Sequence, residues 1–175
     1  SSSSPSISVR VAGGWVRNKL LGLPCDDIDF VIDGISGYSL FKILKENELS
    51  YNKVSLIKSN SNKSKHLETV EIQICDWKID CVQQRKEIYN SLSRIPIIEP
   101  GSLLEDTYRR DFTMNAMYYN LNSMMIEDPS SLGIKDLENN ILRFIGSTKL
   151  KLFEDPLRGL RGIRFVSQYG FALDP

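Results

Sequence analysis

Histidine is almost missing from this chain: its 175 residues include one, His66. Cysteine is scarce too, with three residues, Cys25, Cys75 and Cys81, and no Cys-x-x-Cys pair. An odd number without metal-ligand spacing argues against a disulfide framework or structural zinc, and fits a reducing compartment. Excess charge of one sign is lacking as well. Lys+Arg and Asp+Glu each number 22, so no overall basic field marks a nucleic-acid binder, and any RNA contact must be local. No apolar run approaches the roughly 20 residues of a membrane span, so the expectation is a soluble protein with no membrane contact. There is no internal repeat. The chain does not start with Met, opens with Ser1 to Ser4 and Pro5, and stops at Asp174-Pro175 soon after a helical pattern. We therefore expect a disordered Ser-rich start over residues 1–8, and an amino-terminal piece of a longer protein.

What is present is organised around one stretch, Gly13-Gly14-Trp15-Val16-Arg17 through Gly22 to Asp27-Ile28-Asp29-Phe30-Val31-Ile32. Ile7, Val9 and Val11 alternate with polar residues ahead of it and predict a strand running into the glycine pair. Glycines permit positive φ and close backbone approach, and Trp15 to Leu21 reads as a short helix stopped by Gly22. Backbone N–H groups at its start suit phosphate oxygens, with Arg17 adding a guanidinium fork. Asp27 and Asp29 then alternate with Ile28, Phe30 and Ile32, so a strand buries the apolar set and projects both carboxylates from its other face, roughly 6–7 Å apart. Such a pair suits Mg²⁺, which prefers hard oxygens and keeps substrate phosphates in its shell. The plain alternatives are a turn and a solvated Asp-x-Asp.

Further on, residues 39–46 predict a helix packed on the sheet and 54–57 a short strand, while the polar 59–65 reads as a loop. Residues 69–74 and 77–82 read as a hairpin turning near Asp76. If its second strand neighbours the Asp27/Asp29 strand, Asp80 brings in a third carboxylate, as general base or metal ligand; otherwise it is an ordinary surface Asp. The segment 103–121 holds Glu105-Asp106-Thr107-Tyr108-Arg109-Arg110-Asp111-Phe112-Thr113-Met114-Asn115-Ala116. Its arginines can bind anions bidentately and Asp111 can accept from sugar hydroxyls, with Asn115 one turn on. A salt-bridged surface helix would look the same. Asp128-Pro129 marks a turn, 134–139 a short helix and 141–145 a strand ended by Gly146.

The last motif is Glu154-Asp155-Pro156-Leu157-Arg158-Gly159-Leu160-Arg161-Gly162-Ile163-Arg164-Phe165. Asp155 is a natural N-cap with Pro156 at the first helical position. Leu157, Leu160, Ile163 and Val166 form one face; Arg158, Arg161 and Arg164 form an adjoining one. Asp155 and Arg158 share a face and present an acceptor beside donors. Cytosine and adenine offer an amino donor next to a ring-nitrogen acceptor; guanine and uracil offer oxygen beside N–H. One Asp/Arg pair can thus accept C and A and reject G and U.

Together these motifs resemble the class II CCA-adding enzymes, tRNA nucleotidyltransferases of the DNA polymerase β superfamily that bacterial-type poly(A) polymerases also join. The similarity runs from about Val9 to the end, and looks closest to fungal or other eukaryotic members through Lys63-Ser64-Lys65-His66-Leu67-Glu68-Thr69 and Leu92-Ser93-Arg94-Ile95-Pro96. The resemblance implies an α/β (α+β) fold. A polymerase β-like head over 9–147, of mixed sheet with flanking helices, would be followed over 148–175 by the start of an all-α neck that selects the nucleotide, with body and tail outside the chain. It implies Mg²⁺ on Asp27 and Asp29. It places Gly13, Gly14, Arg17, Arg110 and Asp111 at the nucleotide's phosphates and sugar, and Glu154, Asp155, Arg158, Arg161 and Arg164 around the base. The implied activity is template-independent addition of CCA to the tRNA 3′ end from CTP and ATP, releasing pyrophosphate, with no stable protein partner, in the cytoplasm and also in mitochondria and the nucleus. The alternatives are an ATP-only poly(A) polymerase of the same family and an inactive nucleotide- or RNA-binding module. Departures from the family pattern are Asn18, where Asp is usual, and Gln83-Gln84-Arg85 after Asp80. Gly159 and Gly162, at about 1 kcal/mol each relative to Ala, predict a yielding helix.

Overall fold

The computed structural model describes residues 7–47, 51–57, 67–90 and 93–174. The Ser-rich start up to residue 6, the polar loop read at 59–65, most of Lys63–Thr69 and Leu92 lie outside the described residues. Strand β1 (Ser8–Ala12) begins inside the span expected to be disordered. It feeds α1 (Gly14–Leu20), β2 (Ile28–Asp33) and α2 (Gly37–Glu46), whose Ser36 N-cap hydroxyl accepts from the Ser39 N–H. Strands β3 (Lys53–Ile57), β4 (Thr69–Ile74) and β5 (Trp77–Gln83) follow; β4 and β5 are the expected hairpin.

Next come β6 (Arg85–Asn90), β7 (Ser93–Pro100) and α3 (Leu103–Tyr108), the last opened by a Ser102/Glu105 capping box. A 3-10 turn (Thr113–Asn115), β8 (Tyr118–Asn120), β9 (Met125–Glu127) and α4 (Gly133–Glu138) lead to β10 (Ile141–Leu142). Finally α5 (Thr148–Glu154), α6 (Leu157–Tyr169) and β11 (Ala172–Leu173) complete the described chain.

Seven strands form one mixed sheet in the order β3-β4-β5-β2-β1-β8-β9, with β2 and β5 parallel and the other neighbours antiparallel. Strand alternation gives it two unlike faces. Ile28, Phe30 and Ile32 of β2, Ile79 and Cys81 of β5, and Val70 and Ile72 of β4 pack with Leu40, Phe41 and Leu44 of α2. Burial there pushes the Cys81 thiol up to about 12. The opposite face buries Val31 with Ala12 and Tyr118, and carries Asp29, Asp80 and Glu71 side by side across β2, β5 and β4. A further cluster joins Val16 of α1, Phe112, Met114, Met117, Leu137 of α4 and Leu142 to Phe165 of α6 and Phe171. The proposed start of the neck thus shares a core with the head.

Three elements differ from the sequence expectation. Residues 85–90 and 93–100 form the β6–β7 ribbon, to which the sequence expectation assigned no element. Segment 103–121 is not one helix: α3 stops at Tyr108, and Phe112 bridges to Phe144 before the 3-10 turn. The 141–145 strand is two residues long, because beyond Leu142 the chain turns to form that bridge.

Candidate active site

Gly13 has φ +64°, and its N–H donates to the Met117 carbonyl at 3.1 Å. A Cβ there would lie 3.0 Å from Nη1 of Arg110, and one on Gly14 would lie 3.4 Å from Nη2 of Arg17. The glycine pair therefore serves close approach as well as turning: two guanidiniums flank a backbone that has no side chains to keep them away.

Arg17 is 8% exposed. Its Nε and Nη2 donate to Oδ1 of Asn18 at 3.0 and 2.8 Å and its Nη1 donates to Oδ1 of Asn115, while the group lies 5.3 and 5.0 Å from the Phe165 and Tyr169 ring centres. Burial depresses its pKa, and among the described residues it has no carboxylate ion-pair partner. A cation held by amide oxygens and aromatic rings keeps its full charge for an incoming anion. Asn18 thus acts on Arg17 directly. Asn115, instead of reaching outward for a sugar, ties Arg17 to Asp111, to which its amide donates at 3.2 Å.

Asp29 lies opposite Asp80 in the β2–β5 register, so the neighbouring-strand condition set by the sequence is met. Burial raises the Asp29 pKa, Asp80 and Asp27 add to that, and Arg110 opposes it. Oδ1 of Asp80 is buried without a hydrogen-bond partner. Among the described residues no three His, Cys, Asp or Glu side chains are grouped to hold a metal by themselves. Two hard carboxylates, with an orphaned carboxylate oxygen one strand away, fit an ion that takes its remaining ligands from phosphates and water.

The α3 end supplies the next cations. Asp106, fully buried, binds Arg109 at 2.8 Å and Arg110 at 3.0 Å and accepts from the Tyr118 hydroxyl at 2.7 Å. Burial alone would raise its pKa, yet Arg110 and Arg109 outweigh it and hold the carboxyl below the usual range. Arg110 is turned to the Gly13 backbone by this pairing.

On α6 the structure decides which of the two faces meets the cleft. Leu157, Leu160 and Ile163 are 51, 63 and 65% exposed, whereas Arg158 is 6% exposed. Helical periodicity identifies two faces but not which one meets a partner; here the arginine side packs against the cleft. The N-cap of α6 is Pro156, one residue later than expected, because α6 begins at Leu157; Asp155 ends α5 and its Oδ1 still accepts from the Leu157 N–H at 3.0 Å. Glu154 grips Arg158 and also meets Lys151 at 3.4 Å. Arg161 pairs with Asp111 at 2.7 Å, so this carboxylate, expected to accept from a sugar, is already engaged by α6, the Phe112 N–H and Asn115.

These groups meet in one cleft of about 870 Å³. It brings together Gly13, Gly14, Arg17, Asp27, Asp29, Arg110, Asp111, Asp155, Arg158, Arg161 and Arg164. Glu154 and the candidate third carboxylate Asp80 lie outside its lining; Glu154 acts on Arg158, and Asp80 sits opposite Asp29 in the sheet. Residues that the sequence reading missed are Arg85, Glu87 and Tyr89 of β6, Pro96 and Ile98 of β7, and Tyr169 of α6. Their signal was the i, i+2, i+4 alternation of Arg85, Glu87 and Tyr89, which puts all three on one strand face.

Comparison with known proteins bears on this cleft. The family described as the poly A polymerase head domain matches residues 9–143. A tRNA nucleotidyltransferase of Schizosaccharomyces pombe is 42% identical over 184 residues, covering 100% of this chain and 38% of the relative. The mitochondrial CCA tRNA nucleotidyltransferase of Saccharomyces cerevisiae is 39% identical over 177 residues, covering 97% and 32%. An A-adding tRNA nucleotidyltransferase of Aquifex aeolicus is 32% identical over 168 residues, covering 93% and 19%. Solved CCA-adding enzymes superpose closely. An apo form has TM-score 0.80 at 28% identity, covering 97% of this chain and 38% of that one. Complexes with CTP and with ATP each have TM-score 0.72, at 27 and 28% identity, again covering 97% of this chain, and 37 and 35% of theirs. The chain thus spans 38 and 32% of the length of these two fungal relatives.

Proposed function

Since the chain belongs to the poly(A) polymerase head-domain family, whose nucleotidyltransferases are generally dependent on a divalent metal, we propose that it is the catalytic head of a CCA-adding tRNA nucleotidyltransferase. The observation that carries this reading is the single cleft holding Asp27 and Asp29, the Gly13-Gly14 turn with its two guanidiniums, and the Asp155/Arg158 pair. The reaction is attack of a tRNA 3′-hydroxyl on the α-phosphate of CTP or ATP, with pyrophosphate leaving.

Each chain group has a role. Arg17 and Arg110, set against a backbone without Cβ atoms, hold triphosphate oxygens, and their charge is strengthened in a site shielded from water. Asp155 and Arg158 face the base edge. Arg161 and Asp111 lock α6 to the segment carrying Arg109 and Arg110, and Arg164 adds charge at the rim. Asp27 and Asp29 are the ligands we assign to Mg²⁺, which when bound supplies charge neutralisation and a lower pKa for the attacking hydroxyl. Asp80, beside Asp29, is the nearest further carboxylate for proton abstraction or ligation.

An A-only enzyme is the second reading, favoured by the similarity to an A-adding relative. The yeast relative's name gives a mitochondrial location, which we propose here beside the cytoplasm. The test is incorporation into a tRNA lacking its 3′ end, by the protein with its natural flanking sequence, with CTP, ATP, both, GTP or UTP. Two C residues followed by one A, with G and U refused, is the expected product. A additions from ATP alone would establish the second reading, and nucleotide binding without incorporation would leave a binding module.

A further inference from the structure

Arg158 offers five N–H donors. Nη1 reaches the Lys151 carbonyl at 3.3 Å and the Glu154 carboxylate; Nη2 reaches the Arg109 carbonyl at 3.1 Å and the Tyr89 hydroxyl at 3.3 Å. Among the described residues nothing accepts from Nε. Three of these four acceptors belong to α5 and the end of α3. The fourth crosses from β6, with the Tyr89 ring centre 5.8 Å from the guanidinium carbon.

Tyr89 can play only one part in that contact. A phenol has a single hydrogen, and here the hydroxyl donates it to Oε2 of Glu87 at 2.9 Å. Its lone pairs alone are left for Arg158. Glu87 is anchored in turn: its other oxygen accepts from Arg85 at 3.2 Å and Arg109 at 3.4 Å, and its side chain is 9% exposed. The bracket runs unbroken from the arginines beside Asp106 to the arginine on α6.

We propose that Tyr89, braced by Glu87, is a positioning residue for base selection, fixing Nη2 of Arg158 so that Nε–H is the one donor presented to the base. The inference rests on the reading of Arg158 as a base-facing group. Cytosine and adenine meet a single fixed donor with a ring-nitrogen acceptor; uracil and guanine meet it with a ring N–H, leaving two donors opposed and unpaired. A guanidinium released from Tyr89 has an unpaired Nη2–H and turns as a plane about Cδ–Nε, which brings this second N–H to a uracil carbonyl oxygen and relaxes the rejection.

The experiment measures kcat/KM for CTP and for UTP, added to a tRNA lacking its 3′ end, by the protein with its natural flanking sequence. The variants are Tyr89→Phe, Arg158→Ala and the double substitution. Phe keeps the ring and removes only the hydroxyl. The expected result is an approximately tenfold smaller CTP-over-UTP preference in Tyr89→Phe, equivalent to about 1.4 kcal/mol, through a higher kcat/KM for UTP and an unmoved thermal midpoint. In the Arg158→Ala background the same change should shift the preference less than twofold, because the two residues act as one unit. If Arg158→Ala collapses the preference while Tyr89→Phe leaves it intact, the positioning role is overturned alone. If Arg158→Ala itself leaves it intact, the base-facing reading falls, and this inference with it. Equal loss of both rates with a lowered midpoint would make Tyr89 a structural strut and also overturn the proposal.

Discussion

Asp29 and Asp106 are carboxylates at which burial and Arg110 pull in opposite directions, and the balance falls differently at each. At Asp29 burial comes first, Asp80 and Asp27 add to it, and the pKa is raised. The folded state therefore disfavours the ionised form: any cost is absent below the ordinary Asp value of about 4 and present once pH rises through the raised value. Asp29→Asn should then raise the thermal midpoint at pH 7 to 8 in chelator, lose that advantage below about pH 4, and abolish nucleotidyl transfer at every pH. A midpoint unchanged at neutral pH would show that Asp29 carries no such cost. At Asp106 two arginines outweigh burial and lower the pKa. Its stabilisation is full above the ordinary Asp value and is lost as pH falls through the depressed one. Asp106→Asn leaves Arg110 without its carboxylate and Arg109 with Glu87 alone, and should cost about 3–5 kcal/mol, read as a lower urea midpoint at pH 7.

At the scale of elements, α6 combines two glycines that the sequence treats alike and the structure separates. A Cβ on Gly159 would lie 3.4 Å from a terminal methyl of Leu152, an ordinary contact with a flexible side chain. A Cβ on Gly162 would lie 3.2 Å from the Phe112 ring, itself 1% exposed and set against Phe144 and Phe165. Gly159→Ala should therefore recover the helix-propensity gain of about 1 kcal/mol, raising the midpoint by roughly 2–4 °C. Gly162→Ala should give no gain or a loss. Calorimetry on the two variants decides it, and equal stabilisation by both would mean that α6 does not seat on Phe112 this closely. Gly162 is thus less a weak point of the helix than the place where it meets the aromatic cluster.

At the scale of the whole molecule, zero net charge conceals a strongly sorted distribution, with seven arginines, Arg17, Arg85, Arg109, Arg110, Arg158, Arg161 and Arg164, on the walls of one cleft. The same sorting puts the apolar stripe of α6 outward and Phe165, 4% exposed, inward. In the 175-residue chain by itself, Leu160→Ser should change stability by less than about 0.5 kcal/mol. Phe165→Ala should cost about 3–5 kcal/mol. A large loss from Leu160→Ser would show that the apolar stripe is packed in solution.

The sequence by itself determined what short-range rules govern. The glycine turn followed by a short helix, the Asp27/Asp29 alternation, the β4–β5 hairpin and the start of a helix next to Pro156 all depend on backbone sterics and period, which operate within a few residues. The motif order was enough to place the chain in its family. What only the tertiary structure decided depends on partners distant in sequence. That Asp80 lies beside Asp29 follows from parallel pairing of β2 and β5, a register no local rule sets. That Asp111 and Asn115, on the wall of the cleft, are held by protein groups follows from α6 and α1 arriving beside them. That 85–90 pairs with 93–100, and that Tyr89 reaches Arg158, 69 positions along the chain, lay beyond the local alternation of Arg85, Glu87 and Tyr89. That α6 buries Arg158 and sets Arg161 and Arg164 along the cleft follows because Phe165 and Gly162, not the leucines, fit the Phe112 cluster. A helix carries its faces in its sequence, but its orientation is fixed by the shape of what it packs against.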